Sequence, residues 1–468
     1  MNDIRFGTDG WRAIIAKDFT VDNLTRVAEA TATWLKKKFS SPSVVIGYDC
    51  RFGGVLFSET IVKVMAVNRI KVFLSDSFVS TPMISLGTVR HNASIGIIVT
   101  ASHNPATYNG YKLKGNYGGP MLPENVQEIE DLILESPKTD TSAYAISDFI
   151  KEGMVQMTNL EEMYCKHVEA NFDLNLIRNC GLNFAYDAMF GSGQNVIKKL
   201  FPSITQLHCD HNPGFHGQAP EPIEKNLVEF KETIKNSGKI DCGLVTDGDA
   251  DRIGLFDKAG NFIDSHHLIL LLIKYLVEQK KMSGKVVTAF SVTPRVKKMC
   301  EHFGLKYQVV KIGFKYVAEV MLKEDVLLGG EESGGIAIKG HIPERDGIWI
   351  GLTIWEYMAK SGKSLNELIR EVYEITGTFS FERSDLHLKE ALKNKIVENC
   401  RNNNYKTFGP YKIQNVETID GYKYFFSENE WLMIRASGTE PVLRNYAEAE
   451  TKEKAFDILK SAEKTLLS

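Results

Sequence analysis

A serine, a histidine and a proline stand directly after an apolar run and form the first group of residues that could carry chemistry. The run covers residues 94–99, and residues 100–105 read Thr-Ala-Ser-His-Asn-Pro. Because ligands of α/β domains bind near the carboxyl ends of strands, Ser102 could be a nucleophile or the carrier of a transferable group. His103 could polarise this serine or bind its phosphate. Taken alone, the motif favours a plain structural turn.

Three aspartates at alternate positions form the second group. Asp247, Asp249 and Asp251 follow the apolar pair 244–245 in a glycine-containing loop. Alternate carboxylates with few other oxygen donors suit Mg²⁺, whose shell a phosphate oxygen would complete; a solvated acidic turn is the alternative. A lysine stands where an EF-hand loop has its final glutamate, so we do not expect a calcium sensor. Arg252 follows the acids and is available to a substrate anion.

A glycine-rich loop with two glutamates and a serine forms the third group. Residues 329–335 read Gly-Gly-Glu-Glu-Ser-Gly-Gly after the apolar run 326–328. The glycines let the backbone approach a ligand, while Glu331 and Ser333 could accept and donate hydrogen bonds. Carboxylates and hydroxyls suit a polyhydroxylated sugar, and a flexible surface turn is the other interpretation.

The fourth group combines an arginine with hydroxyl side chains. Residues 435–441 read Arg-Ala-Ser-Gly-Thr-Glu-Pro. Such a loop can form a nest for a phosphate dianion, built from Arg435, Ser437, Gly438 and Thr439, with Arg444 close enough to contribute. Together the four groups indicate phosphoryl transfer on a phosphosugar, in a cleft where domains meet.

Short β-branched runs alternating with helical patterns must position these loops. Apolar residues fall at helical spacing in 24–35, the segment 56–67 could be a helix, and the tail has two further helical patterns, at 389–401 and 452–467. The apolar runs predict strands at 43–49, 71–74, 94–99, 182–186, 242–245, 285–290, 307–310 and 326–328.

This alternation predicts layered α/β domains, and the tail predicts a different architecture. We expect three similar mixed- or parallel-sheet α/β domains and a C-terminal small α+β domain, arranged around a central cleft. The boundaries fall at about residues 150, 257 and 375, which gives domains 1–150, 151–257, 258–375 and 376–468.

The composition excludes several classes of protein. A net charge of −3 gives no bulk field for nucleic acid or an anionic membrane, so we expect neither partner. No uninterrupted apolar run approaches the length of a membrane-spanning helix, and residues 1–5 lack the apolar core of a secretory signal. The 7 cysteines are scattered singly, which favours reduced thiols and a cytoplasmic location.

The chain resembles the α-D-phosphohexomutases, within the phosphoglucomutase and phosphomannomutase group. The resemblance rests on the four loops in the family's order and on residues 6–12, Phe-Gly-Thr-Asp-Gly-Trp-Arg, and it covers nearly the whole chain. It implies an isomerase that interconverts hexose 1-phosphate and hexose 6-phosphate through a phosphoserine. Glucose 1,6-bisphosphate would be the intermediate and activator, and the chain would act as a monomer or weak homodimer.

The resemblance also implies a role for each site residue. Ser102 would be the phosphoserine, and its phosphate would complete the shell of one Mg²⁺ per chain. Arg12 and Lys112 would face the reacting phosphate, with Lys112 a candidate proton shuttle. The remaining roles are metal binding by Asp247, Asp249 and Asp251, sugar recognition by Glu331 and Ser333, and a clamp on the distal phosphate by Arg435, Ser437, Gly438 and Thr439.

Departures from the family pattern bear on the choice of sugar. Bacterial phosphomannomutase/phosphoglucomutases commonly have histidine where Gly335 and Phe314 stand here. The Gly-Phe-Lys around Phe314 and the residues 341–347 look more like glucose-preferring members, which makes Lys315 and His341 candidate substrate contacts. Glucose phosphate is therefore expected first, with mannose phosphate as the alternative or a co-substrate. Glucosamine phosphate is less expected, because the third loop lacks the glutamine or asparagine variants familiar there.

Two other functions remain open at this level. An aspartate-nucleophile phosphatase could use Asp247 and Asp249 and would not need Ser102. A non-catalytic phosphosugar-binding protein is the second alternative, although the intact serine and metal loops speak against it.

Overall fold

The computed structural model describes residues 4–436 and 442–468. The chain divides into two compact units: one is formed by residues 1–287 and 313–369, and the other by 288–312 and 370–468. Within the described ranges, no helix combines the length and the hydropathy that crossing a membrane requires.

The first layered domain alternates strands and helices up to residue 158. In chain order its elements are β1 (Trp11–Ile14), α1 (Val21–Lys38), β2 (Ser43–Tyr48), α2 (Gly54–Val67), β3 (Lys71–Ser75), α3 (Thr81–Arg90), β4 (Ile95–Val99), β5 (Tyr108–Gly115), α4 (Pro123–Glu130), α5 (Ile146–Lys151) and β6 (Val155–Thr158).

Its sheet has the strand order β1-β5-β4-β2-β3-β6. Strands β4, β2, β3 and β6 run parallel, whereas β5 is antiparallel to both β4 and β1. Strands β2, β3 and β4 are mostly apolar and buried, as expected of strands covered on both faces, whereas the edge strand β6 is half polar and partly exposed. Helix α1 begins at the Thr20 cap, ends in three lysines, and buries the apolar face that its spacing predicted.

The second layered domain follows the same plan with a smaller sheet. Its elements are α6 (Leu160–Asn171), α7 (Leu174–Asn179), β7 (Phe184–Asp187), α8 (Gln194–Leu200), β8 (Thr205–Leu207), α9 (Val228–Ser237), β9 (Cys242–Thr246), β10 (Ile253–Asp257) and β11 (Phe262–Ile263). The strand order is β11-β10-β9-β7-β8, with β7 parallel to β8 and β9. Strand β10 returns antiparallel to β9, so the loop between them is held at both ends.

The next segment contains α10 (Ser265–Glu278), β12 (Lys285–Ala289), α11 (Arg295–His302), β13 (Tyr307–Val310), α12 (Phe314–Lys323), β14 (Val326–Gly330), β15 (Ile336–Ile338), α13 (Gly347–Ser361) and α14 (Leu365–Thr376). Strands β14 and β15 form an antiparallel pair in the first unit. The third chemical loop, residues 331–335, is the connection between them, so the pairing fixes both of its ends.

The tail differs from the layered domains, as predicted. It contains β16 (Ser380–His387), α15 (Glu390–Arg401), β17 (Thr407–Phe408), β18 (Tyr411–Lys412), β19 (Asn415–Glu417), β20 (Tyr422–Ser427), β21 (Glu430–Ala436), β22 (Val442–Ala449) and α16 (Lys452–Leu467). Five strands form an antiparallel sheet in the order β16-β22-β21-β20-β19. Apolar residues of α15 and α16 join those of this sheet in one core.

Candidate active site

The serine loop follows directly on β4, at the edge where a parallel sheet presents its carboxyl ends. Ser102 is 1% exposed, and its backbone lies in the left-handed region, with a φ of +53°. Its Oγ donates a hydrogen bond of 2.8 Å to Oδ2 of Asp247, and Nδ1 of His103 lies 3.4 Å away. Two loops that are far apart in sequence therefore meet at this hydroxyl group.

The aspartate loop connects β9 and β10. Its three carboxylates are fully buried, and each offers an oxygen within 4.8 Å of the others. One oxygen of Asp247 accepts the backbone N–H groups of Asp251 and Arg252 at 3.0 and 3.1 Å, so the loop folds around its own first carboxylate. A Cβ at Gly248 would stand 2.5 Å from the carbonyl oxygen of Ser102, so only glycine permits this approach of the two loops.

The pKa values of two of these aspartates shift in opposite directions. Burial, together with Asp249 and Asp251, raises the pKa of Asp247 well above its ordinary value. Burial also acts to raise the pKa of Asp249. The positive charge of Lys112 outweighs this effect, so the pKa of Asp249 lies below its ordinary value. Among the described residues, Oδ1 of Asp249 and Oδ1 of Asp251 have no hydrogen-bond partner. Buried anionic oxygens without donors fit a bound divalent cation.

Lys112, a residue of β5, lies beside the carboxylates of the aspartate loop. Its Nζ lies 2.7 Å from Asp249, 3.1 Å from Asp251 and 2.9 Å from Asp9. Burial would lower the pKa of Lys112, but Asp249, Asp251 and Asp9 raise it above its ordinary value. The ammonium group therefore stays charged in this arrangement, and a proton-shuttle role for Lys112 stays a prediction.

Arg12 and His103 also lie at the serine loop. Arg12 donates from Nη1 to the side-chain oxygen of Asn104 at 2.7 Å, which places its guanidinium beside the loop. Burial, Arg252 and Arg12 hold the pKa of His103 well below its ordinary value, so its imidazole is neutral. A neutral ring can accept one hydrogen bond and donate another, but it cannot serve as a fixed cation.

Two site residues, Arg345 and Asp9, were not predicted to act. Nη2 of Arg345 lies 2.6 Å from Asp251 and is also paired with Asp9, and Nη1 lies 3.7 Å from Glu331. One guanidinium thus connects the aspartate loop, the glycine-rich loop 329–335 and the N-terminal motif 6–12. The sequence offered a signal for both residues, since they stand inside the motifs 6–12 and 341–347.

The glycine-rich loop, residues 329–335, lies beside the aspartate loop. The carbonyl of Gly334 accepts the N–H of Ile253, the first residue of β10, at 3.2 Å. Burial raises the pKa of Glu331 to about 7, against the influence of Arg345. Ser333 in the same loop is partly exposed. Lys315 lines a small cavity whose other walls include the N-terminal motif, 6–10.

The structure places His341 in a packed network. Its ring stacks on Trp349 at 3.9 Å and lies 2.9 Å from Asp346, and the ring of His167 lies 3.2 Å away. The side chain is buried in this network, which stabilises the start of α13. A sugar contact by His341 therefore stays a prediction that the described contacts do not support.

The predicted phosphate clamp lies in the second unit. Arg435 on β21 stands directly opposite Arg444 on β22, and its guanidinium contacts Asp420 at 3.4 Å. Arg435 is thus already paired with a carboxylate, and phosphate binding by Arg435 and Arg444 stays a prediction. Ser437, Gly438 and Thr439 of the same predicted clamp lie outside the described residues.

Comparisons with known proteins bear directly on this arrangement. The profiles of Phosphoglucomutase/phosphomannomutase alpha/beta/alpha domains I, II and III match residues 3–140, 162–260 and 264–375, and that of the C-terminal domain matches 388–464. A phosphoglucomutase/phosphomannomutase of Thermococcus kodakarensis is 29% identical over 98% of each chain. A phosphoglucosamine mutase of Methanococcus vannielii is 31% identical over 89% of this chain and 90% of its own.

Solved structures of phosphohexomutases share the fold of this chain. A Thermus thermophilus protein that carries the provisional name phosphomannomutase is 32% identical, covers 100% of both chains and has a TM-score of 0.88. The Aspergillus fumigatus N-acetylphosphoglucosamine mutase, solved with GlcNAc-6P and magnesium, shares the fold at 15% identity, with 99% of this chain and 95% of that chain covered and a TM-score of 0.56. The predicted fold class, three α/β domains and a C-terminal domain, is confirmed. The chain belongs to the α-D-phosphohexomutase superfamily.

Proposed function

We propose that this protein interconverts hexose 1-phosphate and hexose 6-phosphate, with glucose phosphate as the preferred substrate, through a phosphorylated Ser102 and a sugar 1,6-bisphosphate. The observation that carries the proposal is the 2.8 Å contact between Oγ of Ser102 and Asp247. It joins a possible phosphate carrier to a buried carboxylate cluster. Membership of a phosphohexomutase family supports the isomerase chemistry.

The residues present fit one Mg²⁺. The ligands would be Asp247, Asp249, Asp251 and a phosphate oxygen on Ser102, an all-oxygen set of the kind Mg²⁺ prefers. When bound, the ion would neutralise charge on the transferring phosphoryl group. The partnerless oxygens on two of the aspartates support this assignment.

The cationic side chains would hold the phosphate for attack. Arg12 and Lys112 flank the serine loop and the aspartates, so both can face the oxygens of a phosphate on Ser102. Phosphoryl transfer depends on such positioning and charge compensation more than on covalent catalysis by the protein. The sugar hydroxyl attacks phosphorus, the bond to Oγ of Ser102 breaks, and the hydroxyl proton passes to a nearby base.

The sugar bisphosphate must then turn over and return its other phosphate to Ser102. Glu331 and Ser333 would hold sugar hydroxyls in both orientations, which suits a carboxyl group that can be neutral or charged near pH 7. Burial raises the pKa of Glu331 to about 7. The phosphate that is not reacting would be bound by Arg435 and Arg444. Exclusion of water would protect the phosphoserine from hydrolysis.

Different observations support glucose phosphate and glucosamine phosphate as the preferred substrate. The resemblance of residues 313–315 and 341–347 to glucose-preferring members supports glucose phosphate. Relatives such as the Methanococcus vannielii protein carry the name phosphoglucosamine mutase, which favours glucosamine phosphate as the second candidate. Mannose phosphate stays an alternative, as in the Thermococcus kodakarensis relative named for both activities.

A substrate panel tests the preference. Glucose 1-phosphate, mannose 1-phosphate and glucosamine 1-phosphate would be assayed with Mg²⁺ and a trace of the matching bisphosphate. We expect the highest kcat/KM with glucose 1-phosphate, by about fivefold, because a difference of one sugar hydroxyl contact is worth roughly 1 kcal/mol. A higher kcat/KM with glucosamine 1-phosphate would overturn the preference but leave the reaction type intact.

Replacing Arg435 with alanine tests the phosphate clamp. Arg435→Ala should raise KM for the preferred sugar phosphate roughly 10- to 100-fold, the loss of a charge-assisted phosphate contact, with a smaller change in kcat. Arg401→Ala, an exposed arginine of α15 in the same unit, is the matched control and should leave both constants unchanged. Unchanged KM in Arg435→Ala would remove the clamp assignment.

The domain boundaries, the cytoplasmic location and the monomeric or weakly dimeric state also stay predictions.

A further inference from the structure

One guanidinium group organises the backbone of the serine loop. Nη2 of Arg51 donates to the carbonyl oxygens of Ser102 at 2.5 Å and Asn104 at 2.6 Å. Nη1 donates to the carbonyl oxygens of Pro105 at 2.8 Å and Tyr108 at 3.1 Å. Four carbonyl groups of a single loop thus point at one buried cation. A loop that turns its carbonyls inward needs such a partner, because buried acceptors without donors are costly.

Asp49 closes this arrangement into a ring around Ser102. Its carboxylate lies 3.2 Å from Nε of Arg51 and accepts the hydroxyl of Thr100 at 2.5 Å. The Oγ1 of Thr100 in turn accepts the backbone N–H of Ser102 at 2.9 Å. The N–H and the carbonyl of the same serine are therefore both tied, through Thr100 and Arg51, to one carboxylate.

The backbone conformation of Ser102 explains why these hydrogen bonds are needed. A φ of +53° is unfavourable for a residue with a Cβ, and such a conformation persists only where the surroundings over-determine it. The same conformation directs Oγ of Ser102 at Asp247 and leaves the serine carbonyl against Gly248. The direction of the hydroxyl is thus coupled to the bonds that Arg51 and Thr100 make.

The chemistry of the arrangement requires arginine. A planar guanidinium presents a fixed fork of donors, and here it also lies 4.9 Å from the ring of Phe215, which limits its rotation. Lysine keeps the charge but offers three donors on a flexible stem, so it cannot meet four carbonyls at once.

We propose that Arg51, with Asp49 and Thr100, is a positioning device that fixes Ser102 for phosphoryl transfer. This inference rests on the proposed function and adds to it residues that touch neither the sugar nor the metal ligands' carboxylates. Weakening the contacts of Arg51 or Thr100 should slow phosphoryl transfer to and from Ser102. The affinity for sugar phosphate should stay nearly the same, since other loops would hold the sugar.

The first test compares two arginine-to-lysine variants. Arg178 is the matched control: it donates twice to the carbonyl of Leu200, at 3.1 and 2.7 Å, and lies 5.6 Å from the ring of Phe201, outside the serine loop. Glucose 1,6-bisphosphate would be mixed with each dephosphorylated protein, and phosphorylation of Ser102 would be followed by quenched intact-mass measurement alongside steady-state kcat and KM.

Arg51→Lys should lower both kcat and the rate of Ser102 phosphorylation about 10²-fold, the loss expected from a small misplacement of a reacting group. KM should stay within about threefold of the wild-type value, since binding contacts are retained. Arg178→Lys should match the wild type in both measurements.

Thr100 provides a second test that does not depend on how well Arg51→Lys folds. Thr100→Val keeps the shape of the side chain but removes both the acceptor for the N–H of Ser102 and the donor to Asp49, and it should lower kcat by at least about tenfold. Thr100→Ser restores the hydroxyl and should recover most of the activity.

The outcomes separate this inference from the function on which it rests. A folded Arg51→Lys with wild-type kcat, or a Thr100→Val as active as Thr100→Ser, would overturn the positioning role while the mutase assignment stands. A raised KM with unchanged kcat would also overturn it, because that places Arg51 in sugar binding. A wild-type protein that never accepts phosphate on Ser102 would refute the function itself.

Discussion

Ser102→Ala is expected to abolish mutase turnover, with a fall in kcat of at least about 10³-fold, because no other group could carry the phosphate between the two sugar positions. The hydroxyl group that it removes donates to Asp247, and the backbone N–H and carbonyl of Ser102 are hydrogen-bonded to Thr100 and Arg51. Mutase activity would be measured in both directions, with the sugar bisphosphate supplied, so that a slow supply of the intermediate cannot mimic the loss.

The same variant separates the proposed mutase from its two rivals. A phosphatase that uses Asp247 or Asp249 as nucleophile would continue to release phosphate without Ser102. A phosphosugar-binding protein would show no turnover even in the wild type. Ser77→Ala, a change at a partly exposed serine beyond the end of β3, is the control and should retain full activity. Retained mutase activity in Ser102→Ala would contradict the phosphoserine scheme.

Asp247→Asn is expected to eliminate both activity and stabilisation by Mg²⁺. In the wild type, Mg²⁺ at 100 times its dissociation constant should stabilise the fold by about 2.7 kcal/mol, and the variant should lose most of this gain. Asparagine keeps an oxygen for the N–H groups of Asp251 and Arg252 and an amide beside Ser102, so the loop geometry can survive. The thermal midpoint would be measured with EDTA and with increasing Mg²⁺.

Without the metal, Asp247→Asn should be at least as stable as the wild type. Burial and the neighbouring carboxylates raise the pKa of Asp247 above its unfolded value, so its charged form opposes folding at neutral pH. Removing that charge removes the penalty, and the advantage of the variant should shrink as the pH falls from the raised pKa toward the pKa of the unfolded chain. Asp210→Asn, at an exposed aspartate of the same domain, should respond to Mg²⁺ as the wild type does. A full Mg²⁺ response in Asp247→Asn would contradict the metal site.

The parts that could be read from the sequence are those with a local signal. Helices α1 and α2 show apolar residues at helical spacing, and β2, β4 and β9 are uninterrupted apolar runs, so their existence followed from periodicity. The two loops that meet at Ser102 were found because each combines unusual residue types directly after such a run. That the two loops meet was implied by the family resemblance and not by any local pattern, since their contact spans 145 residues.

The parts that escaped prediction depend on distant partners. Strand β5 reads Tyr-Asn-Gly-Tyr-Lys-Leu-Lys-Gly, and its buried lysines look like surface residues until Asp249 and Glu344 are known to lie beside them. Arg51 likewise follows a strand as an ordinary charged residue. Its role depends on carbonyl groups 51 to 57 positions away, and backbone carbonyls leave no mark in the sequence.

The most direct test of the central claim follows one phosphate through the protein. Wild-type protein with Mg²⁺ would be labelled from radioactive glucose 1,6-bisphosphate, the labelled site mapped by peptide mass, and the label chased with unlabelled glucose 1-phosphate. Label should appear on Ser102 alone and pass rapidly into sugar bisphosphate during the chase. Label on an aspartate, or a phosphoserine that the sugar phosphate cannot discharge while mutase turnover continues, would contradict the central claim.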